Sequence, residues 1–415
     1  MNDTAAPPRK LAPVWLMGLA NAPLGLNGAL LLVTIPQLLA ARGVPETDIS
    51  TVTAIGLIPA FAVVLIAPIL DVRFTRRAYA WMFGPLAAVL STVAMFTLGN
   101  FSVLVPLVLA AQLCVALYVS ALGGWLGASL PKEADGQLAV WFNIGNGAGF
   151  GIGAAVNMWF YQSLPHPLAF LASGLVLLVP LPLLLLPPAP REAASQLNES
   201  FGRLARDVGA LLRQAPMRRL MLLFVLPCAS FALTNMFGGI GQDFGASPDT
   251  VAWVSGWGVL VPSLLTSLVA GAILRHVRAP VFYLSTGVVG ASVTLATLLL
   301  PRTPETFVFA VVAQNVFQTA AFTIQNAIMF RSIAPDSPVA STQFAVLGAA
   351  VAVPISYMQA IDGRGYGLGG LSGAFLTDAL VSLTACALLA VPVLHWMRGG
   401  ALEADVPPAS DRVQE

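Results

Sequence analysis

Long runs of apolar residues constrain what this chain can fold into more than any other feature of its sequence. Cutting the chain at charge clusters and turn residues leaves twelve such runs, and a helix needs about 20 apolar residues to cross a bilayer. Only 9% of the residues are charged, against about 25% in a typical soluble domain. Because so few charges cannot cover a water-exposed surface, we predict an all-α integral membrane protein. The same composition excludes a cytosolic enzyme and a nucleic-acid binder.

The twelve predicted transmembrane helices form two groups of six. They lie at about 12–40, 50–70, 78–98, 103–128, 138–161, 167–187, 217–241, 250–274, 280–300, 305–331, 341–361 and 372–397. Between the groups lies a basic stretch with four arginines. We therefore predict an N-terminal six-helix half at 1–187, a central loop at 188–216, a C-terminal six-helix half at 217–398 and a tail at 399–415.

Positive charges predict the orientation of these spans, because cytoplasmic loops of membrane proteins carry an excess of Lys and Arg. With both termini and the central loop in the cytoplasm, 17 of the 20 Lys and Arg residues lie inside. The other three are Arg42, Arg302 and Arg364. One missed span would invert every later loop, so this asymmetry supports the count of twelve. We expect a multi-pass protein of the bacterial inner membrane with no cleaved signal peptide, since the first apolar run is too long for one.

The loop after the second run carries a charge motif. Asp71 ends the run, and Arg73, Arg76 and Arg77 follow it. The corresponding loop after the eighth run, at 271–278, keeps the basic residues and lacks the acid. The motif and the two groups of six resemble the major facilitator superfamily, whose fold consists of two six-helix pseudo-repeats. The resemblance implies a latch between the halves, formed first by Asp71 and Arg73, with Arg76 and Arg77 beside them. The alternative is that the arginines only anchor the loop to lipid headgroups.

Further stretches narrow the resemblance. They read GLIP at 56–59, PILD at 68–71, RRAYAW at 76–81 and STQFAVL at 341–347. These stretches resemble AmpG-type permeases and their acetyl-CoA-transporter relatives, which import muropeptides or other bulky polar solutes. The resemblance implies a proton symporter that works by alternating access, as a monomer, without cofactor or metal.

Polar side chains within the apolar runs are the candidate solute contacts, because a polar group in hydrocarbon is costly unless it is paired or faces water. Gln314, Gln318 and Gln325 lie within about 40° of one another on a helix. We expect them to face Asn143 and Asn146 across the interface of the two halves, with hydrogen bonds between helices as the alternative. Further candidates are Asn315, Asn21, Asn235, Trp141 and Trp257.

The energy source is the least specified property. Asp378 is the one acid clearly inside an apolar run, so it is the candidate for proton coupling, unless it reaches water or Arg364. No nucleotide-binding GxxxxGK[ST] motif and no catalytic Ser–His–acid or HExxH arrangement is present. The amide-rich, charge-poor spans favour a neutral or zwitterionic cargo such as a muropeptide, another saccharide or a siderophore. A facilitator or an exporter is the alternative, and a membrane enzyme or channel is a more distant one.

Overall fold

The computed structural model describes residues 12–188, 201–335 and 337–398. Every regular element among these residues is helical. Eight helices are long and apolar enough to cross a membrane: Val14–Ala40, Arg76–Phe96, Phe101–Ser129, His166–Leu185, Asp249–Ile273, Ala279–Thr297, Pro304–Ser332 and Ala340–Arg398. The prediction of an all-α membrane protein is therefore confirmed for the described part of the chain.

The helices are numbered in chain order. They are α1 (Val14–Leu19), α2 (Ala22–Ala29), α3 (Ile35–Ala40), α4 (Glu46–Leu57), α5 (Pro59–Ala62), α6 (Arg76–Phe96), α7 (Phe101–Ser129), α8 (Asp135–Ser163), α9 (His166–Leu178), α10 (Phe201–Arg213), α11 (Ala215–Val225), α12 (Phe237–Ile240), α13 (Pro248–Ile273), α14 (Ala279–Thr297), α15 (Pro304–Ser332) and α16 (Ala340–Arg398). A hydroxyl group caps the first turn of three of them, α6, α13 and α15, by accepting a backbone N–H.

Helix α16 consists of two arms that fold back on each other. Gly369 and Gly370 leave helical geometry, and Gly370 has φ +58°, a value that favours glycine. Beyond this turn Gly365 and Gly373 bring the two backbones together. A Cβ atom on Gly365 would lie 2.8 Å from the Gly373 carbonyl oxygen. We call residues 340–368 the first arm of α16 and residues 371–398 the second arm.

Two features of the predicted layout change. Helix α10 lies inside the predicted central loop, because its apolar residues recur at helical spacing among arginines and so form no continuous run. The predicted spans at 50–70, 138–161 and 217–241 are not among the eight, since they are interrupted or rich in Gly and polar residues. The count of twelve therefore stays a prediction. Residues 189–200 of the predicted loop and the tail at 399–415 lie outside the described residues.

One end of the bundle collects most of the charged loops. Loops 72–75, 130–134, 274–278 and 333–339 meet there, and Lys132 of one loop contacts the carbonyl oxygen of Ile333 in another. We call this end the basic face, and the opposite end, which carries the Gly369–Gly370 turn, the far face. The terms N-terminal segment and C-terminal segment denote residues 12–188 and 201–398.

The hydrophobic core is shared at the basic face and forks toward the far face. Near the basic face the ring of Phe142 contacts Phe330 and Phe344 of the other segment, at centroid distances of 5.2 and 5.8 Å. Toward the far face the core divides into an N-terminal prong, which includes Leu31, Leu104 and Phe170, and a C-terminal prong, which includes Phe237, Phe307 and Phe375. Burial therefore joins the two segments mainly at one end of the molecule.

Candidate functional site

Residues 226–231 interrupt a helix in the C-terminal segment. Helix α11 ends at Val225, two residues before Pro227, which has no N–H group to donate. Helical turns resume at Ala232, after Phe231 adopts the left-handed conformation with φ 48°. An interruption of this kind frees backbone carbonyl groups, which need new partners when they are buried. We call this interruption the C-terminal break.

Side chains from neighbouring helices supply those partners. The hydroxyl of Tyr357 donates to the Val225 carbonyl oxygen at 2.7 Å. The amide of Gln318 donates to the Phe231 carbonyl oxygen at 3.3 Å and to the hydroxyl of Thr234 at 2.9 Å. Gln318, one of the predicted solute contacts, is half-buried at this point. It therefore lies beside backbone carbonyl groups that the break leaves without helical partners.

The N-terminal segment contains a milder interruption at Ala20 and Asn21, between α1 and α2, where both residues keep right-handed backbone. The hydroxyl of Tyr118 donates to the Ala20 carbonyl oxygen at 2.5 Å. The amide of Asn21 donates to the Phe142 carbonyl oxygen at 3.0 Å, and Asn21 is buried. We call this interruption the N-terminal break. Each segment thus has one broken helix with a carbonyl oxygen that accepts from a tyrosine of a nearby helix.

Two of the three predicted glutamines face away from the interface between the segments. Gln314 donates to the hydroxyl of Thr294, and Gln325 donates to the hydroxyl of Tyr283 at 3.1 Å. Both partners lie on α14, within the same segment, and both glutamines are buried. The structure therefore differs from the expected approach of these glutamines to Asn143. A buried amide needs a nearby hydrogen-bonding partner, and α14 offers hydroxyl groups on this side of α15.

A different face of α15 meets the N-terminal segment. The amide of Asn143 on α8 donates to the hydroxyl groups of Ser267 and Thr323, both at 3.1 Å. Asn143 is buried, so this polar network joins the segments beneath the breaks. Asn315 lies on the same side of α15, since it is about 80° from Thr323 by helical rotation, and it is half-buried. The network was missed because Ser267 and Thr323 are weak polar signals in a sequence.

The other predicted contacts are dispersed. Asn146 is half-buried on α8, one turn from Asn143. Asn235 is exposed at the C-terminal break and donates to Gln359 at 3.4 Å. Trp141 lines a cleft at the basic face, and Trp257 on α13 is 60% exposed. The structure thus brings Gln318 and Asn235 to the same break and leaves the two tryptophans apart from it. Solute binding by any of these residues stays a prediction.

At the basic face Asp71 joins the two segments. Its buried carboxylate accepts the backbone N–H groups of Ser341 and Thr342 at 3.1 and 2.8 Å and the Thr342 hydroxyl at 2.7 Å. These N–H groups open the first turn of α16, where a helix favours a negative charge. Arg76 completes the set through its Nε, 2.9 Å from Asp71. The carboxylate therefore caps a helix of the other segment.

The structure places the arginines of this motif differently from the prediction. Arg76, and not Arg73, contacts Asp71, and it also donates to the Ser337 carbonyl oxygen at 2.7 Å. Arg73 is exposed, with its backbone in the left-handed region at φ 72°. Arg77 lies over the ring of Trp125 at 5.9 Å. The turn after Asp71 directs Arg73 outward, while α6 brings Arg76 back to the carboxylate.

Lys132 makes a second contact between the segments that the sequence did not suggest. Its ammonium group donates to the carbonyl oxygens of Phe330, at 2.9 Å, and of Ile333. These oxygens end α15, where a helix favours a positive charge. Burial lowers the pKa of Lys132, and the Asp135 carboxylate, 3.5 Å away, opposes that shift. Burial also raises the pKa of Asp135 to about 6.

A charged cleft of about 1160 Å³ opens beside this contact. Its lining includes Lys132, Asp135, Gln137, Arg275 and Arg331. The cleft lies at the basic face and carries charges of both signs, and its lining residue Trp141 precedes Phe142, whose carbonyl oxygen accepts from Asn21 at the N-terminal break. Among the described residues no group of three or more His, Cys, Asp and Glu side chains is placed to hold a metal ion.

Asp378 has a partner that the sequence analysis missed. It is buried on the second arm of α16, within hydrogen-bonding reach of Asp362 on the first arm, which is also buried. The predicted span ended at residue 361 and so assigned Asp362 to a loop, whereas the helix continues to residue 368. Arg364, the alternative partner, is exposed. Residues 362–368 read DGRGYGL, and these charges and glycines gave no sign of the longer helix.

Comparison of the sequence with known families assigns the chain to one of them. The family described as Major Facilitator Superfamily matches residues 17–239, more than half of the chain. The chain belongs to the Major Facilitator Superfamily. Members of this superfamily are transporters that move small solutes across a lipid bilayer and are not enzymes. No functionally curated protein matches the sequence.

Solved structures of this superfamily share the fold at low sequence identity. The human organic anion transporter MFSD10 (TETRAN) has a TM-score of 0.67 and 16% identity, over 93% of this chain and all of that one. A double-Trp mutant of XylE has a TM-score of 0.67 and 14% identity, over 91% and 94%. FucP, solved in an outward conformation, has a TM-score of 0.67 and 13% identity, over 90% and 97%. These likenesses establish the fold of the described chain.

Proposed function

We propose that this Major Facilitator Superfamily member is a secondary active transporter that carries a polar, neutral or zwitterionic organic solute by alternating access. The observation that carries the proposal is the pair of breaks, one in each segment, each with a carbonyl oxygen that accepts from a tyrosine. In membrane transporters, interrupted helices in corresponding positions of two repeats mark the solute site. The proposal includes twelve spans in two six-helix repeats, with halves at 1–187 and 217–398, a central loop at 188–216 and a tail at 399–415.

The forked core supports an outward-facing state. Asp71, Lys132 and Asn143 all contact the other segment in the part of the bundle nearest the basic face. The excess of Lys and Arg in the loops of that face favours its placement in the cytoplasm of a bacterial inner membrane, with both termini inside. In this proposal the solute path runs between the two prongs and opens to the outside. In this proposal Asp71 and Arg76 are the latch, and Arg73 and Arg77 anchor its loop.

The chemistry of the breaks supports a neutral cargo. Gln318, Thr234 and Asn235 at the C-terminal break offer amide and hydroxyl groups without a charge. A cargo that carries phosphate would need buried cations to pair with it, and Arg76 and Lys132, the buried and half-buried cations described above, both lie at the basic face. Muropeptides, other saccharides and hydroxamate siderophores carry amide and hydroxyl groups. The AmpG-like stretches favour a muropeptide and proton-coupled import.

The structure divides the candidate residues by position. The amides that a solute could contact are the half-buried or exposed ones, Gln318, Asn315, Asn146 and Asn235, although Gln318, Asn315 and Asn235 also donate to protein groups. Buried amides already bonded to other helices position those helices, and they are Gln314, Gln325, Asn143 and Asn21. In this proposal Trp141 and Trp257 stack against sugar rings near the entrances.

Uptake into proteoliposomes tests the proposal. The panel contains a labelled muropeptide, a neutral disaccharide and a hydroxamate siderophore, with a sugar phosphate as the anionic control. We expect saturable uptake of at least one neutral solute and none of the sugar phosphate. Uptake of the sugar phosphate alone, or of no solute in a protein shown to be folded, would contradict the proposal.

A matched pair of variants tests the division of the amides. Asn315→Ala removes one hydrogen-bonding group from the face of α15 that meets the other segment, so the apparent affinity should fall about 2- to 10-fold. Gln314→Ala removes the bond to Thr294 on the opposite side. It should lower the melting temperature equally with and without solute and leave the affinity unchanged. The reverse pattern would place the binding face on the α14 side of the helix.

A further inference from the structure

The turn of α16 sets Asp362 and Asp378 opposite each other. The two arms run antiparallel from Gly369 and Gly370, and Gly365 lies against Gly373 with their backbones in contact. One helical turn beyond that contact, the two acids occupy matching positions on the two arms. Their carboxyl groups are within hydrogen-bonding reach of each other. The glycines thus fix the register that pairs the acids.

Three of the four carboxylate oxygens of this pair accept no hydrogen bond from the described residues. Asp362 is 0% exposed and Asp378 is 2% exposed. Among the described residues no N–H or O–H group donates to either oxygen of Asp362 or to Oδ1 of Asp378. The charged group that acts on each carboxyl is the other carboxyl. Both side chains are fully enclosed, and their oxygens point at one another.

Other titratable groups at the far face are either exposed or hydrogen-bonded to other side chains. Arg364 of the first arm and Glu305 at the start of α15 are exposed. Arg302 donates to the Ser372 hydroxyl at 3.1 Å. Asp243 accepts from the Tyr366 hydroxyl at 2.8 Å. None of these groups supplies a counter-charge to the buried pair.

Electrostatics then requires a small cation between the carboxyl groups. Two adjacent buried carboxylates cannot both stay ionised, because neither is solvated and each repels the other. When one of them is protonated, its O–H donates to the other in a charge-assisted hydrogen bond, which is the short and strong kind. A proton completes this site with the two residues present. A metal ion would need several more oxygen ligands.

The pair lies next to the C-terminal break. Gln359, one turn before Asp362, accepts from Asn235 at 3.4 Å. Phe375, one turn before Asp378, contacts the ring of Phe237 at a centroid distance of 6.3 Å. Each arm therefore holds the outer part of the broken helix within one turn of an acid. A change in the separation of the arms would be transmitted directly to the proposed solute site.

We propose that Asp362 and Asp378 share one proton, and that its loss separates the arms of α16 and shifts the C-terminal break. This inference deepens the proposed transport function and rests on it for its physiological role. The coupling ion would enter from the far face, about two turns of helix from the Gly369–Gly370 turn.

Infrared spectroscopy of the purified protein without solute tests the shared proton. At neutral pH the wild type should show the carbonyl stretch of a protonated carboxyl group, shifted in D₂O and lost as the pH rises. Asp362→Asn and Asp378→Asn each leave one buried carboxyl group, so each should shift the titrating band, and only the double variant should remove it. The double variant Asp362→Asn/Asp378→Asn keeps the shape of both side chains, so it controls for loss of the band through misfolding. Glu305→Gln, which neutralises an exposed acid at the same face, is the matched control and should leave the band unchanged.

The outcomes separate the two proposals. A band that is absent, that is identical in both single variants, or that survives in the double variant would overturn the proton site even if transport is found. A band that sodium displaces at constant pH would also overturn it, because the site would then bind a metal cation. If the panel shows no uptake while the band behaves as expected, the proton site stands and the transport proposal fails.

A distance measurement tests the link to the break. Spin labels at Gln242→Cys, an exposed position just after α12, and at Leu368→Cys, highly exposed near the turn, report the position of the outer broken helix relative to the first arm and leave the bond from Asn235 to Gln359 intact. The wild-type distance should change between acidic and alkaline pH, and the double Asn variant should show one distance throughout. A wild-type distance that does not vary with pH would overturn the coupling.

Discussion

Asp71→Asn is the sharpest test of how the basic face is held closed. The carboxylate of Asp71 accepts two backbone N–H groups and one hydroxyl from the start of α16, and Arg76 on its own side. Asparagine keeps one acceptor oxygen and turns the other position into a donor that faces donors. Hydrogen bonds to a charged group contribute about 1.5–3 kcal/mol each, and the charge at the helix N-terminus adds about 1 kcal/mol.

We therefore expect the closed arrangement to lose about 3 kcal/mol, since part of the bonding is retained. That loss corresponds to a change of about 100-fold in the ratio of open to closed basic face. Spin labels at Glu133→Cys and His276→Cys, both exposed positions on opposite segments, measure this ratio as a distance distribution. The background would lack the three buried native cysteines, which are Cys114, Cys228 and Cys386.

Transport should slow in Asp71→Asn, while equilibrium affinity for the solute stays within a few-fold, because Asp71 lies far from both breaks. Thr342→Val is the graded control. It removes one of the four donors, so it should shift the distances in the same direction by a smaller amount. An unchanged distance distribution would refute the latch. So would a large loss of affinity with normal exchange between states.

Two further predictions concern the same face. Arg73→Gly should raise the melting temperature, because a non-glycine residue at φ 72° costs about 1 kcal/mol. A lower melting temperature would show that contacts of the Arg73 side chain outweigh this backbone cost. Burial raises the pKa of Asp135 to about 6, so the native state binds the carboxyl proton more tightly than the unfolded chain does. The contribution of Asp135 to the free energy of unfolding therefore falls as the pH rises from about 4 to 6. Asp135→Asn should therefore raise the melting temperature more at pH 8 than at pH 5, and an equal effect at both values would contradict the assignment.

The helical class and the membrane location follow from the sequence because hydrophobicity alone determines them. Apolar runs such as 103–128 and 305–331 match α7 and α15 within a few residues. The lengths of α16 and α10 were harder to predict. Asp362 looked like a loop residue by charge, although its helix continues, and α10 has an amphipathic pattern that a search for apolar runs does not detect.

The sequence predicted the types of residue in the site better than the neighbouring helices that their side chains face. Gln314 and Gln325 form a stripe with Gln318, but periodicity gives only relative angles on one helix and not the neighbour that each angle meets. The structure turns the first two toward α14. Pairings such as Asp362 with Asp378 depend on a tertiary register set by two glycines, and no local pattern records it.

The forked core affects which of two states is more populated, the one open at the basic face or the one open at the far face. Opening the basic face exposes apolar surface around Phe142, and closing the far face covers surface between the prongs. At about 25 cal/mol per Å² of apolar area, a mismatch of roughly 55 Å² between these two surfaces equals a tenfold change in population. That area is smaller than one leucine side chain. Substitutions of apolar residues in the prongs would therefore tune the resting orientation more finely than changes at the cargo site. Relatives with the same polar residues could in this way work in opposite directions.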